Sequence, residues 1–273
     1  MRATTPESLA ITVRDIHFES AAPRWWHGGD PVATAFFNAL SASFPLGERY
    51  FIDSVKRFRD VADAPLKAQI DGFVMQESIH TREHLAFNGL AEDCGYDLRR
   101  IDAFLKRRLG WARSRGPREQ LASTVALEHF TAILAHALLS NPSDLEGAPE
   151  AVQRLWRWHA MEELEHKAVA FDTFFVATRS YTGFGRWLLR SYVMFVTTIL
   201  FLHEVVFGVG EFLRQDGKAD AATWLKFLRY VLVRPGILRR VFGRYLAFYR
   251  PGFHPWRVDD RALIREFELS LTR

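Results

Sequence analysis

The chain has 273 residues, with 36 Lys and Arg against 32 Asp and Glu for a net charge of +4, and a single cysteine. One cysteine excludes an intramolecular disulfide and fits a reducing compartment; Cys94 reads as a small core residue, not a nucleophile. The composition is rich in Leu, Ala, Arg, Phe and Trp, with few alternating β-branched runs and no basic run of a nucleic-acid-binding type, which predicts an all-α protein without a nucleic-acid partner.

Residues 1–30 read as an irregular N-terminal arm, because TTPES, AAPRWW and HGGDP each contain chain breakers. The stretch MRATTPESLAITVRD has no apolar core, so no secretory signal is expected. Asp30-Pro31 is a helix start, with Asp as cap and Pro in the first turn. That helix runs to about Arg59 and is expected to bend or break at Pro45 and Gly47. A second helix starts at Asp63-Ala-Pro65 and runs to about Asp93, and a shorter basic one spans about Asp97 to Ser114. A third long helix runs from about Pro117 to Ser140, stopped by Asn141-Pro142, and a fourth from about Pro149 to Thr178, before YTGFG. Residues 31–182 are thus predicted as a helical bundle. Residues 183–273 are predicted as a helical, basic and aromatic extension packed on it, with helices over about Arg186–Arg214, Ala221–Val233 and Pro235–Tyr249 and a short one after Asp259.

Each long helix of the bundle carries one acidic motif: Glu48 in GERYF, Glu77-x-x-His80 in QESIH, Glu128 in LEHFT and Glu163-x-x-His166 in EELEHK. Two single-Glu helices with two Glu-x-x-His helices form the ligand set of a carboxylate-bridged di-iron or di-manganese bundle. Four carboxylates balance two divalent cations, and burying them without such partners is costly. Residues three and four apart share a helix face. The rows are Ile70, Phe73, Glu77, His80, His84 and Phe87; Leu155, His159, Glu163, His166 and Ala170; Leu121, Val125, Glu128, Ala132 and Ala135; and Glu48, Ile52 and Val55. In each row the donors are in line with apolar residues, so the core face also carries the metal ligands. A zinc site would be four-coordinate and richer in Cys or His, so iron is expected, with manganese as the alternative.

His159 lies one turn before Glu163 and extends the set as a seventh ligand. His84, one turn past His80, has three readings: a ligand, a group that orients one, or a proton carrier. Glu162 and Glu165 fall off the stripe and read as solvated groups or as supports paired with Arg or Lys. His129 points away from the site, and Asp172, Trp158 and Arg49 are candidate supporting groups. Glu77 and Glu163, the acids of the two Glu-x-x-His pairs, are the candidate catalytic carboxylates.

QESIHTREH, LEHFTA and WHAMEELEHKAVAFD resemble the bacterial family described as predicted metal-dependent hydrolases, itself similar to the ferritin-like superfamily. The resemblance is strong over about residues 30–180 and implies a ferritin-like four-helix bundle with additional C-terminal helices. The His159-x-x-x-Glu163-x-x-His166 stripe is also similar to p-aminobenzoate N-oxygenase-type di-iron enzymes. That site-level likeness implies Glu48, Glu77, His80, Glu128, His159, Glu163 and His166 as ligands.

Three functions are open at this level. The first expectation is an O2-activating di-iron oxygenase, served by an external electron donor and acting on a hydrophobic or lipid-like substrate. The alternative is a dinuclear metal-dependent hydrolase, and the third is a non-catalytic ferritin-like metal-binding protein. From 186 to 250 the chain has eleven Lys and Arg against four Asp and Glu, a local +7 that leaves −3 for the remainder. Within it, WLLRSYVMFVTTILFLHEVVFGV (187–209) approaches the ~20 apolar residues of a membrane span, though Arg190, His203 and Glu204 interrupt it. It reads as a buried or dimer-interface helix, a one-sided membrane contact, or a span. A cytoplasmic homodimer is the resulting expectation, with peripheral contact of 186–250 at the inner face of the membrane as the alternative to a freely dissolved one.

Overall fold

The computed structural model describes residues 5–6, 10–18 and 21–271, leaving the arm residues 1–4, 7–9 and 19–20 outside the described set. It is helical throughout, with no strand among the described residues. The bundle helices are α1 (Pro31–Lys56), α2 (Ala64–Asp93), α3 (Arg99–Arg113), α4 (Pro117–Leu139), α5 (Glu150–His166) and α6 (Val169–Ala177). The C-terminal helices are α7 (Gly183–Gln215), α8 (Ala221–Leu232), α9 (Ile237–Ala247) and α10 (Arg261–Leu271). Local chemistry starts them as expected: Asp30 accepts from the Val32 and Ala33 amides ahead of α1, and Asp63 accepts from Leu66 ahead of α2.

The first helix does not break at Pro45. A proline inside a helix leaves the carbonyl four residues earlier without its donor. Here that carbonyl is Ser41, and Asn88 on α2 supplies a side-chain amide to it at 3.1 Å. Gly47 is simply helical. The fourth motif segment departs in the other direction: it divides at Lys167-Ala168 into α5 and α6. Lys167 leaves the helix there and is anchored by its ammonium to Asp260 and the Val258 carbonyl, 2.5 and 2.8 Å away.

α1 packs on α2, α4 on α5 and α6, and α2 and α4 close the set through α5, α6 and α1. The predicted rows are the buried ones: Ile70, Phe73, Glu77, His80 and His84 are wholly inaccessible, as are Leu121, His166 and Ala170. α7 lies across α1 and α4, α9 on α4, and α10 on α5. The α7–α1 crossing is close enough that a Cβ on Gly208 would meet Ala39 at 2.8 Å. Among the described residues of the N-terminal arm, Ile11 packs over Gly72 of α2, where a Cβ would sit 2.9 Å from its side chain. Arm and α10 together cover the outer side of α5, which is why Glu162 and Glu165 are buried instead of solvated.

Candidate metal centre

Glu48 comes from α1, Glu77, His80 and His84 from α2, Glu128 from α4, and His159, Glu163 and His166 from α5; all eight are buried. They form overlapping trios suited to a cation: Glu77, Glu163 and His166; Glu48, Glu77 and His80; His80, His159 and Glu163; and Glu48, His84 and His159. Within each trio the donor atoms lie within 4.8 Å of one another.

Outer hydrogen bonds fix which nitrogen each imidazole turns inward. Gln76 donates its amide to Glu165 at 2.8 Å and to the Thr12 carbonyl at 3.0 Å. Its oxygen therefore accepts from His166 Nδ1 at 2.9 Å, leaving His166 Nε2 as an inward lone pair. His80 Nε2 donates to Glu162 at 3.1 Å, and Glu162 also accepts from Trp158 Nε1 at 3.1 Å, so His80 Nδ1 faces the site. A longer chain sets His159. Asn88 donates to the Ser41 carbonyl, Ser41 Oγ donates to Asn88 Oδ1, and His84 Nδ1 lies 2.9 Å from Ser41 Oγ. With its hydroxyl proton committed, Ser41 accepts from His84 Nδ1. His84 Nε2 then accepts from His159 Nδ1 at 2.5 Å, and His159 Nε2 presents its lone pair beside Glu163 Oε1 at 2.9 Å. Partners of this kind orient metal-bound imidazoles.

The carboxylates converge on those lone pairs. His166 Nε2 has Glu77 Oε1 at 3.3 Å, Glu163 Oε2 at 3.5 Å and Glu128 Oε2 at 3.6 Å. His80 Nδ1 has the other oxygens of the same two glutamates, Glu77 Oε2 at 3.8 Å and Glu163 Oε1 at 3.7 Å. Glu48 is held through Oε2 by the Thr81 hydroxyl at 2.7 Å. Glu77 and Glu163 thus each turn one oxygen to the His166 half and one to the His80 half.

Protein contacts leave this cluster unsatisfied. Glu48 Oε1, both oxygens of Glu77 and of Glu128, Glu163 Oε2, His80 Nδ1 and His166 Nε2 are all buried without a hydrogen-bond partner. Such atoms are expensive in a folded core. Burial, then the charge of Glu77, pushes Glu48 well above the usual carboxylate range, and burial with the charges of Glu163 and Glu77 does the same to Glu128. Burial pulls His80 down, but its hydrogen bond to Glu162 and the neighbouring Glu77 carboxylate carry it well up; His166 rises against burial through the charge of Glu163. Burial and neighbouring imidazoles push His84 and His159 down. The carboxylates therefore hold positive charge among them, as protons or as a cation. The donor set, its orphaned atoms and its fixed lone pairs fit a divalent-metal site.

The remaining candidates divide. Trp158 stands edge-on to His80 and supports Glu162. Arg49 is exposed and Asp172 pairs instead with Thr5 and His254, so neither supports the cluster. His129 bonds the Arg244 carbonyl, away from the cluster, as expected. Arg14, Gln76, Ser41 and Asn88 were not legible as site residues. Gln76 had one signal, its place directly before Glu77, whereas Arg14 lies 148 residues before Glu162 and only the fold joins them.

Two cavities reach the cluster. One of about 320 Å³ between α1, α3, α4 and α7 ends at Glu48, and one of about 70 Å³ reaches His159 and Glu163; both share Phe44, Thr131 and Phe201.

Neither the curated proteins nor the solved structures include a match to this chain. A family described as "predicted metal-dependent hydrolase" matches residues 12–259, which takes in the arm carrying Arg14, every donor above and most of the C-terminal helices. That description favours the hydrolytic reading over the oxygenase, for which the comparisons offer no support. The chain belongs to the family of predicted metal-dependent hydrolases.

Proposed function

We propose that the protein is a dinuclear metal-dependent hydrolase acting on an ester- or amide-like bond of an apolar, acyl-chain-bearing substrate. The split of Glu77 and Glu163 between two imidazole-lined halves carries the dinuclear reading: both would be shared between the halves, with Glu128 and His166 holding one ion and Glu48, His80 and His159 the other. Four buried carboxylates then face four positive charges, which removes the penalty of an unpaired cluster. This is the helix-borne ligand arrangement of ferritin-like carboxylate proteins.

Two divalent ions held by these residues would supply Lewis acidity to the scissile carbonyl and acidify a water for attack. The chain does the rest. Phe44, Phe51, Leu105, Leu109, Val196 and Leu200 line the larger cavity and hold the acyl chain while excluding bulk water. Glu48 is the one candidate ligand in that cavity wall, so the reacting bond comes to rest beside it. His84 holds His159, and Gln76 holds His166, against rotation during turnover.

A second reading, the di-iron oxygenase with an external electron donor, draws on the donor chemistry: four glutamates and three histidines with no thiolate suit iron or manganese. The two readings separate in one assay. Acyl ester cleavage under strictly anaerobic conditions, supported by redox-inert zinc as well as by manganese, is the hydrolase outcome. Product formed only with iron, reductant and O2 in stoichiometric consumption would replace it with the oxygenase.

A further inference from the structure

We propose that the outer face of α7, α8 and α9 docks on the surface of an anionic lipid bilayer, with the larger cavity opening at that face. The observation is a stripe. Phe184, Leu188, Tyr192, Phe195, Ile199, Leu202 and Val206 are 41–69% exposed, and their spacing of three and four places them within an arc of about 80° along roughly 33 Å of helix. Monomeric proteins seldom leave so long an apolar surface in water. The two following helices also expose apolar side chains: Leu225, Leu228 and Leu232 on α8, and Phe242 and Leu246 on α9. α9 is tied to α7 through Tyr245–Thr198 and through Trp187 to the Tyr249 carbonyl.

α7 and α4 are both long and apolar enough to cross a membrane, but the apolar window of α4 is 67% buried in the protein and that of α7 only 22%. The inner side of α7 carries Arg190, Met194, Thr197, Gly208 and Val209 into the core against α1 and α4. Lipid meets one side of this helix only, which makes it an interfacial element and not a span.

Charge selects the occupant. The four acids between 186 and 250 are all engaged within the protein: Glu204 lines the cavity, Glu211 pairs with Arg100 and Arg214, Asp216 holds Arg24, Trp25 and Tyr96, and exposed Asp220 caps α8. Lys226, Arg229, Arg234, Arg239 and Arg250 are exposed, with no acidic partner among the described residues. A second copy would bring the same cations together, whereas an anionic leaflet attracts them. The position of the cavity agrees. Exposed Tyr192 belongs both to the stripe and to the cavity wall, which exposed Trp111 of α3 also lines, so an acyl chain leaving the bilayer meets an apolar path toward Glu48.

The test uses the full-length, metal-loaded protein in flotation with vesicles of phosphatidylcholine alone or mixed equally with phosphatidylglycerol. Binding is expected to the mixed vesicles only and to weaken as salt shortens electrostatic range. Phe195→Glu with Ile199→Glu should lower it by roughly tenfold or more, and Arg229→Glu with Arg239→Glu should remove the preference for phosphatidylglycerol, while helicity and bound metal stay unchanged. Absence of binding to either vesicle would overturn the proposal, as would binding indifferent to both pairs of variants. A stable dimer in light scattering that Phe195→Glu splits would overturn it in favour of a second copy on this face.

Discussion

Arg14 grips Glu165 with both terminal amines, Nη1 3.0 Å from Oε2 and Nη2 2.7 Å from Oε1, and the same guanidinium reaches Glu162 at 3.1 Å. Those two carboxylates stand directly behind the candidate ligands: Glu162 accepts from His80, and Glu165 accepts from the amide that orients His166. One arginine from the N-terminal arm therefore aligns one imidazole in each half of the centre. Burial opposes the protonated form of Arg14, but hydrogen bonds to Glu165, Glu268 and Glu162 and the charge of Glu165 outweigh it, raising the group above its ordinary range.

Arg14→Ala leaves Glu162 and Glu165 buried and uncompensated. Metal affinity is expected to fall about 10- to 100-fold, the usual cost of losing an outer partner, as measured by competition with a chromophoric chelator. Arg14→Lys should recover only part of this, because an ammonium cannot match the two-pronged contact. Unchanged affinity in both variants would remove Arg14 from the site.

His84 is assigned as the residue that holds His159 and not as an eighth ligand. His84→Ala leaves His159 Nδ1 without its acceptor, so the half containing His159 should release its ion on dialysis while the His166 half keeps its own. Elemental analysis of the dialysed variant should then give about one ion per chain; full retention of both would contradict the assignment.

The side chain of Asn88 both supports Ser41 and compensates for Pro45. Asn88→Ala strips the Ser41 carbonyl of its donor and should destabilise the protein by about 1–3 kcal/mol in urea unfolding, with some loss of metal through the Ser41–His84–His159 chain. A change confined to a few tenths of a kcal/mol would mean that water or a shifted helix satisfies the carbonyl.

That compensation marks the boundary of what was legible. The ligand rows were readable because helical periodicity puts Glu77, His80 and His84 in line with Ile70 and Phe73, and burial followed the row. The caps Asp30 and Asp63 were readable for the same local reason. Survival of α1 through Pro45 was not, since it depends on an amide from another helix 43 residues on. Burial of Glu162 and Glu165 was not, since it depends on where the arm and α10 lie. Local chemistry writes itself into spacing, and contacts between distant segments do not.

Glu204 provides a pH signature outside the metal cluster. Burial in the cavity wall raises its carboxyl to about 7 from an ordinary 4.5, against the smaller opposing effects of Arg108 and Ser43. Below about pH 4.5 the group is protonated whether folded or not. As pH rises toward 7 the unfolded chain loses the proton first, so stability falls across that window, by up to about 3 kcal/mol. Urea midpoints at pH 5 and pH 8 should differ less in Glu204→Gln than in the wild type; an identical difference in both would contradict this role.

Metal loading should release protons, because Glu48, Glu128, His80 and His166 are all raised in the metal-free cluster and ligation needs their deprotonated forms. Titration of chelator-stripped protein with Mn(II) in two buffers of different ionisation enthalpy counts those protons. Apparent affinity is expected to increase with pH, and loading is expected to raise the melting temperature. Affinity that is flat between pH 6 and 8 would contradict the assignment.

The central claim is that Glu77 and Glu163 bridge two divalent ions. The most direct measurement is metal stoichiometry by elemental analysis of the full chain, purified without chelator and equilibrated with excess Fe(II) or Mn(II) under argon. The account predicts two ions per chain in the wild type and a loss from both halves in Glu77→Ala, against a loss from one half only in Glu128→Ala. One ion per chain or none in the folded wild type, or a Glu77→Ala variant that still holds both ions, would contradict it.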